Sequence, residues 1–360
     1  KRSPSLRSYA RKGVTMKLKS LLVGTGGWAE THIRAYQNCA EIELVGLCGH
    51  RSADKLNALA DQYAIPERGL DLRELLDRVQ PDVLDVACNP HFRLQAVQLA
   101  IMQPSVKLIN LEKPLALTPA DAYAIERLCL DNDKLLTVNH QKKYLPAWHK
   151  AAQLIADGVL GDVQHIRATC QGNLLEQGTH LVDMTLYFMG YRPVSWVMGQ
   201  IDALEGLEKE GASAPDAAMA LLCFDNDVRA NITFGSIGHS LPGESNKWHQ
   251  FAIEVHGSRG HLCVTLNKTL ETLLYDDGRR TIEESSWDKH YVYAVAQHLD
   301  AVARYARNPT TGHISDLEHS LASFQVIMAI YASGCGEGQV HLPRRFDDSL
   351  LDRLRQLRAN

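Results

Sequence analysis

Between Leu18 and Asn139 the apolar positions fall in short unbroken runs, "KLKSLLVG", "IELVGLCG", "DVLDVAC", "VKLINL" and "KLLTVN". Between them lie stretches such as "SADKLNALADQY", "DLRELLDRV", "HFRLQAVQLAIM" and "PADAYAIERLCLDND", in which apolar residues recur at helical spacing. Runs without polar alternation belong to strands buried on both faces, and the intervening helices supply the cover. The pattern predicts a doubly wound α/β unit with a parallel sheet over residues 16–141.

After Tyr144 the rhythm changes. One helix, "PAWHKAAQLIADG", leads into the strand "DVQHIRATC" and the helix-like "EQGTHLVDMTLYFMG". Then come "AAMALLCFD", "VRANITFGS", "QFAIEVHG", "HLCVTL" and "LETLLYD", many bounded by Gly, Asn or Asp turn residues. Strands in succession predict an open, mostly antiparallel sheet, so residues 142–360 form a second α/β unit. Helices return at about residues 291–307 and 316–332; in the latter Leu317, Leu321, Phe324, Met328 and Tyr331 form one apolar stripe, read as core packing.

A chain of 360 residues with 45% hydrophobic and 22% charged positions accommodates both units. A formal net charge of -4 leaves no basic footprint for nucleic acid, so the expected partner is a small molecule or another copy of the chain. Eight cysteines without a Cys-x-x-Cys pair read as buried thiols of a reducing compartment, and no metal site is expected. The run Ser320–Gly336 is broken by Ser, Gln and Gly and reads as a buried helix, so no membrane span is expected. The basic segment 1–15 has no apolar signal-peptide core and precedes Met16; it is expected to be a disordered extension of a cytoplasmic protein.

Candidate chemistry begins at "LLVGTGGWAETHIRAY". Gly24, Gly26 and Ala29 stand in G-x-G-x-x-A spacing between a strand and a helix, with Gly27 and Trp28 in the same turn. The first Gly permits a tight turn, the second lets the backbone approach a pyrophosphate, and the helix N-terminus attracts the anion. The second strand ends in "LCGHRSADK", with no carboxylate before Asp54 to hold a ribose hydroxyl. His50, Arg51 and Ser52 occupy that place, which favours NADP over NAD; Ser52 is equally suited to cap the following helix.

The ordered set "VGTGGWA", "DVLDVACNP", "LEKPLALTPADA", "VNHQKKYLPA", "GVLGDVQHI" and "EQGTHLVD" resembles the glucose-fructose oxidoreductase / inositol dehydrogenase / rhizopine-catabolism (Gfo/Idh/MocA) family over residues 18–343. The resemblance implies a Rossmann domain followed by an open-faced α/β domain whose sheet mediates homodimers or homotetramers. It implies Lys113 and His180 at the nicotinamide, and hydride transfer at a carbinol or hemiacetal carbon of a sugar or cyclitol. Asn89, Glu112 and Asn139 are expected near the cofactor, Glu112 either orienting Lys113 or simply solvated. Lys143 and Tyr144 are expected beside the substrate, with His140 and Lys142 as further candidates for the cleft.

The residues themselves support that chemistry. Glu176, His180 and Asp183, four and three apart, stack on one helical face. Imidazole is suited to take a hydroxyl proton as hydride leaves, and a nearby amine stabilises the alkoxide. His180 is therefore the expected base, Lys113 its partner and Glu176 a supporting catalytic residue, with Asp183 in the substrate site. Three departures from the family pattern stand out. Glu176 occupies a position usually held by Asp; the connection Gln171–Leu175 is short; Arg93 replaces the usual His, either to meet an anionic or polyhydroxylated ligand or as a helix-surface charge. Two other readings remain: a lyase or glycosidase with tightly held NAD that oxidises its substrate only transiently, and a non-enzymatic nucleotide-sensing regulator.

Overall fold

The computed structural model describes residues 16–202, 208–209, 212–215 and 217–357, so the expected extension 1–15 lies outside the described residues. Six strands, β1 (Leu18–Val23), β2 (Ile42–Cys48), β3 (Glu67–Gly69), β4 (Val83–Val86), β5 (Leu108–Glu112) and β6 (Leu135–Asn139), form a parallel sheet in the order β3-β2-β1-β4-β5-β6. The strand order reverses between β1 and β4, which opens a crevice at their carboxyl ends, the usual ligand position of such sheets. The apolar runs are explained by burial: Leu21, Leu22, Leu84, Val86, Ile109, Leu111 and Val138 are almost wholly covered. Helices α1 (Gly27–Tyr36), α2 (Ala53–Gln62), α3 (Leu72–Val79), α4 (Arg93–Ile101) and α5 (Pro119–Asp131) connect the strands, and Ser52, Asp71 and Thr118 cap α2, α3 and α5.

Among the described residues the second sheet has nine strands. From one edge they are Arg280–Glu284, Thr269–Leu274, Gly260–Thr265, Phe251–Gly257, β7 (Val163–Cys170), Arg229–Gly235, Ala217–Phe224, β8 (Val194–Asp202) and Val340–His341. All pairings are antiparallel except β7 with Arg229–Gly235. Helices α6 (Pro146–Ala156), α7 (Gly178–Phe188) and α9 (Leu317–Ala332) pack on this sheet, while Met198 and Met219 remain exposed. Helix α9 is buried well beyond its predicted stripe, Val326, Ile327 and Ile330 included.

Helix α8 (Trp287–Arg307) departs from the simple two-unit division. Its Val295, Ala296, Leu299, Val302 and Ala303 pack against Leu18, Ala35, Tyr36, Ile42, Val83 and Leu108 of the first sheet and α1. Asp300 also accepts hydrogen bonds from the backbone N–H groups of Ala40 and Glu41, at 3.1 and 2.8 Å. The second half of the chain thus returns a helix to the first sheet.

Beneath the crevice lies a buried ionic network. His32 of α1 is fully buried, with Nδ1 2.8 Å from Asp85 on β4 and Nε2 3.0 Å from Glu112 on β5. Tyr36 Oη and Asn110 Nδ2 donate to Asp85 at 2.9 and 2.8 Å, and the amide of Asn139 donates to Glu112. Burial alone would lower the pKa of His32, but the two carboxylates outweigh it and raise the ring to about 10. Burial would raise Glu112; the hydrogen bond and charge of His32 reverse this and lower it. Glu112 is therefore buried and paired, which corrects its solvated reading.

Replacing His32 by Ala leaves two buried carboxylates without their cation and is expected to cost roughly 3–5 kcal/mol near neutral pH in urea unfolding. Because the folded pKa is raised from 6.5 to about 10, the stabilisation by His32 is complete below the lower value and fades as pH rises through the upper. The difference between parent and variant should accordingly narrow between those two values. A difference independent of pH would mean that His32 is neutral in the folded protein.

Candidate functional site

A cleft of about 1400 Å³ runs from the Gly-rich turn along the carboxyl ends of the first sheet to α7. Gly24 has φ +133°, and a Cβ there would lie 2.4 Å from the carbonyl oxygen of Ala87, so both conformation and space require glycine. At Gly26 and Gly27, by contrast, a Cβ would meet no atom within 4 Å, leaving the backbone open to the cleft. Gly26 is the N-cap of α1 and contributes no side-chain cap, so the first amides of the helix are available to a ligand anion. Ala29 is buried against Gly24. These features fit a dinucleotide pyrophosphate.

Further along the rim, His50, Arg51 and Ser52 are exposed and line the cleft. Ser52 Oγ accepts a hydrogen bond from Lys55 N at 3.2 Å, so it caps α2 as well. Asn89 also lines the cleft, its Oδ1 accepting from His91 N at 3.0 Å.

The inner end is built from both sheets. Lys113 follows β5 at a cis Lys113–Pro114 peptide, and the guanidinium of Arg93 donates to the carbonyl oxygens of both residues, at 3.0 Å for Lys113. Arg93 is only 2% exposed, so the surface-charge reading is overturned: its side chain folds inward because two backbone carbonyls need donors. Lys113 Nζ donates to the carbonyl of Glu176 at 3.2 Å, joining the first sheet to the segment that enters α7. The carboxylate of Glu176 accepts from Asn173 Nδ2 at 3.1 Å, while Asn173 Oδ1 accepts from the N–H groups of Leu175 and Glu176. One turn on, His180 lines the cleft yet is almost wholly covered. Burial, reinforced by the charges of Lys142 and Lys113, holds its pKa well below 6.5, so the ring is neutral near pH 7.

Several expected residues lie elsewhere. Asn139 points into the His32 network, not the cleft. Lys143 is fully buried behind the wall, 2.9 Å from Asp183 and bonded to Ser315 and Tyr191. Tyr144 packs edge-on to His298, with its hydroxyl 3.2 Å from His313. Asp183 is likewise enclosed, accepting from Tyr191 and Ser323. These four are corrected from cleft-lining to supporting positions: the end of β6 turns Asn139 towards α1 and β5, while the turn Gln141–Tyr144 and α7 turn Lys143, Tyr144 and Asp183 towards α8, α9 and the segment between them. In their place stands Lys142, whose Nζ donates to Gln177 Oε1 and lies 4.0 Å from the ring centre of Phe251. Burial and the charge of Lys113 push that amine well below its usual pKa.

Sequence reasoning also missed Gln177, Asn173, Trp248 and Trp287 in the lining, the last stacked at 6.3 Å on Trp28. Among the described residues no cluster of three or more His, Cys, Asp or Glu is placed to hold a metal ion.

The Arg93 clamp is testable by stability. Arg93→Met is expected to cost about 1–3 kcal/mol in urea unfolding, since two buried carbonyls lose donors, whereas Arg73→Met on the exposed rim should stay within about 0.5 kcal/mol of the parent. Equal small effects would show that the turn holds itself.

Residues 18–140 match the family model described as an oxidoreductase family with NAD-binding Rossmann fold, and residues 148–263 match the GFO/IDH/MocA C-terminal domain. A D-apiose dehydrogenase of Paraburkholderia graminis is 25% identical over 282 residues, covering 74% of this chain and 72% of that protein. A levoglucosan dehydrogenase solved with NADH and L-sorbose is similar in structure, with a TM-score of 0.76 at 18% identity over 92% of this chain and 100% of that one. The transcriptional regulator Gal80p of Kluyveromyces lactis shares the fold equally well, with a TM-score of 0.77 at 15% identity over 91% of each chain.

Proposed function

The chain belongs to the Gfo/Idh/MocA oxidoreductase family, and on that premise we propose that it is an NAD(P)-dependent dehydrogenase acting on a carbinol or hemiacetal carbon of a sugar, sugar derivative or cyclitol. The observation that carries the proposal is the convergence of Lys113, from the end of the first sheet, and His180, from a helix on the second, in one cleft with the Gly24–Ala29 turn. A nicotinamide dinucleotide bound at that turn supplies the hydride acceptor or donor. His180, neutral because of burial and its amine neighbours, takes the hydroxyl proton in the oxidising direction. Lys113, its backbone clamped by Arg93, donates a hydrogen bond to the same oxygen as negative charge develops. Glu176 and Asn173 shape the turn that leads into the helix carrying His180.

Retention of both Lys113 and His180 in one cleft favours a dehydrogenase over a non-enzymatic regulator. The short Gln171–Leu175 connection suits a bulky glycoside and keeps the transient-oxidation lyase as a second reading. The exposed Met198 and Met219 on the second sheet suit a homodimer or homotetramer contact. No described helix is long and apolar enough to cross a membrane, and we place the protein in the cytoplasm.

In a screen of aldoses, glycosides and cyclitols with NAD and NADP, Lys113→Ala and His180→Ala should each reduce turnover by about two orders of magnitude or more, with dinucleotide binding by calorimetry largely kept. Parent-like turnover in either variant would remove the assigned role. Product formed without change in bulk dinucleotide would select the lyase reading.

The rim residue Arg51 faces the cleft where the second strand lacks a carboxylate, which we read as a preference for NADP. Arg51→Ala should weaken NADP binding far more than NAD binding in parallel calorimetric titrations. Equal weakening would refute the preference.

A further inference from the structure

A base that removes a proton in an enclosed site must also pass it on, and His180 has another imidazole directly behind it. His140, at the end of β6, lies edge-on to His180 with ring centroids 5.3 Å apart and planes at 74°. Both residues are 3% exposed. Neither His180 Nδ1 nor either ring nitrogen of His140 has a hydrogen-bond partner among the described residues. A ring needed only for packing would carry no nitrogens here, because phenylalanine would fill the same space without the cost of burying unsatisfied polar atoms.

The far side of His140 meets acceptors. Asp183 Oδ1 lies 3.5 Å from His140 Nδ1. The carboxylate of Asp183 is in turn 2.9 Å from Lys143 Nζ and accepts from Tyr191 Oη at 2.8 Å and Ser323 Oγ at 3.1 Å. The ring of Tyr191 rests on His319 with centroids 3.9 Å apart, and His319, paired with Asp316 at 3.0 Å, has a side chain 31% exposed. Ionisable groups thus succeed one another from the cleft wall to the surface beside α9, with a gap of 3.5 Å at His140–Asp183 and a ring contact at Tyr191–His319.

We propose that His140 is the second member of a proton relay that carries the substrate's hydroxyl proton from His180 to the Asp183–Lys143–Tyr191 cluster and out at His319. The inference rests on the reading of His180 as the base. In the oxidising direction the C–H bond breaks with its electron pair, which leaves as hydride to the bound dinucleotide. The O–H electron pair becomes the second bond of the carbonyl, and the proton passes to His180. His180, then protonated on both nitrogens, releases one proton to His140 through one bridging water, because the ring nitrogens of the two residues are not hydrogen-bonded to each other. His140 passes a proton to Asp183 and returns to neutral, and the cluster releases one proton to solvent for each turnover. Reduction runs the same sequence backwards.

The electrostatics agree with this geometry. His140 is faced by Asp183 and His180 from α7, Glu112 and Lys113 from the end of β5, Lys143 from its own segment and His298 from α8. Burial, with the adjacent lysines, outweighs the carboxylates and lowers His140 to about 4. Both rings are thus neutral near pH 7, and neither holds the proton tightly enough to trap it.

The test uses full-length parent, His140→Phe and His140→Gln with a substrate and dinucleotide found in the screen. Stopped-flow proton release with an indicator dye and steady-state turnover are followed in dilute buffer and at rising imidazole concentration. The relay predicts that both variants keep KM and calorimetric dinucleotide affinity but lose roughly tenfold to a hundredfold in kcat in dilute buffer. It also predicts a delay in proton release, a larger solvent deuterium isotope effect, and recovery of kcat with imidazole. Nitrogen NMR of labelled histidines in the absence of substrate should further show the His180 ring titrating at higher pH in His140→Gln, once the neighbouring imidazole is gone. Parent-like kcat in dilute buffer, or a loss that imidazole does not restore, would overturn the relay. If His180→Ala abolishes turnover while His140→Phe does not alter it, only the relay falls; if His180→Ala is itself active, the base assignment falls with it.

Discussion

One buried cation between two buried carboxylates holds the first sheet and the cleft in register. His32 draws α1, β4 and β5 together, and Asn139 brings in β6 through Glu112. Isolated in a protein interior, any one of these charges would be costly by several kcal/mol; together, with Tyr36 and Asn110 completing the hydrogen bonds, they become a fixed frame. Glu112 is the residue immediately before Lys113, so the frame determines where the lysine backbone leaves the sheet. Arg93 secures the other side of the same turn. The amine is then held between a rigid stem and the carbonyl of Glu176.

The site above this frame has the opposite electrostatic character. The imidazoles of His180 and His140 and the amine of Lys142 are each pushed towards their neutral forms, chiefly by burial. Charge is concentrated and paired below the cleft and suppressed in its wall. On the proposed reading, the imidazole that takes the substrate's proton is thereby kept apart from the ion pairs of the frame.

The parallel sheet and the Gly-rich turn were legible because each leaves a local mark. Strands covered on both faces read as unbroken apolar runs, and Gly24 is required by its own backbone conformation and the nearby Ala87 carbonyl. Lys113 and His180 were legible through family resemblance, and their shared cleft appears only in three dimensions. What stayed hidden depended on side-chain direction. Consecutive Lys142 and Lys143 sit in one short turn, and no periodicity says which of them enters the cleft; Lys142 does. Arg93 begins a helix, where a long side chain can reach solvent or fold back to a carbonyl, and unmet backbone acceptors decided the matter. The clearest unused signal was Asp85, a charged residue in the middle of "DVLDVAC": a carboxylate inside a buried strand needs a cation, and His32 was its partner.

The return of α8 to the first sheet has a consequence for how the molecule is made. The N-terminal half emerges from the ribosome with the surface formed by Leu18, Ala35, Val83 and Leu108 still bare, and its cover is synthesised only after nearly all of the second sheet. The dinucleotide-binding half is therefore not a module that can be completed early and left alone. Its last layer arrives with the second half of the chain, and the two halves mature together.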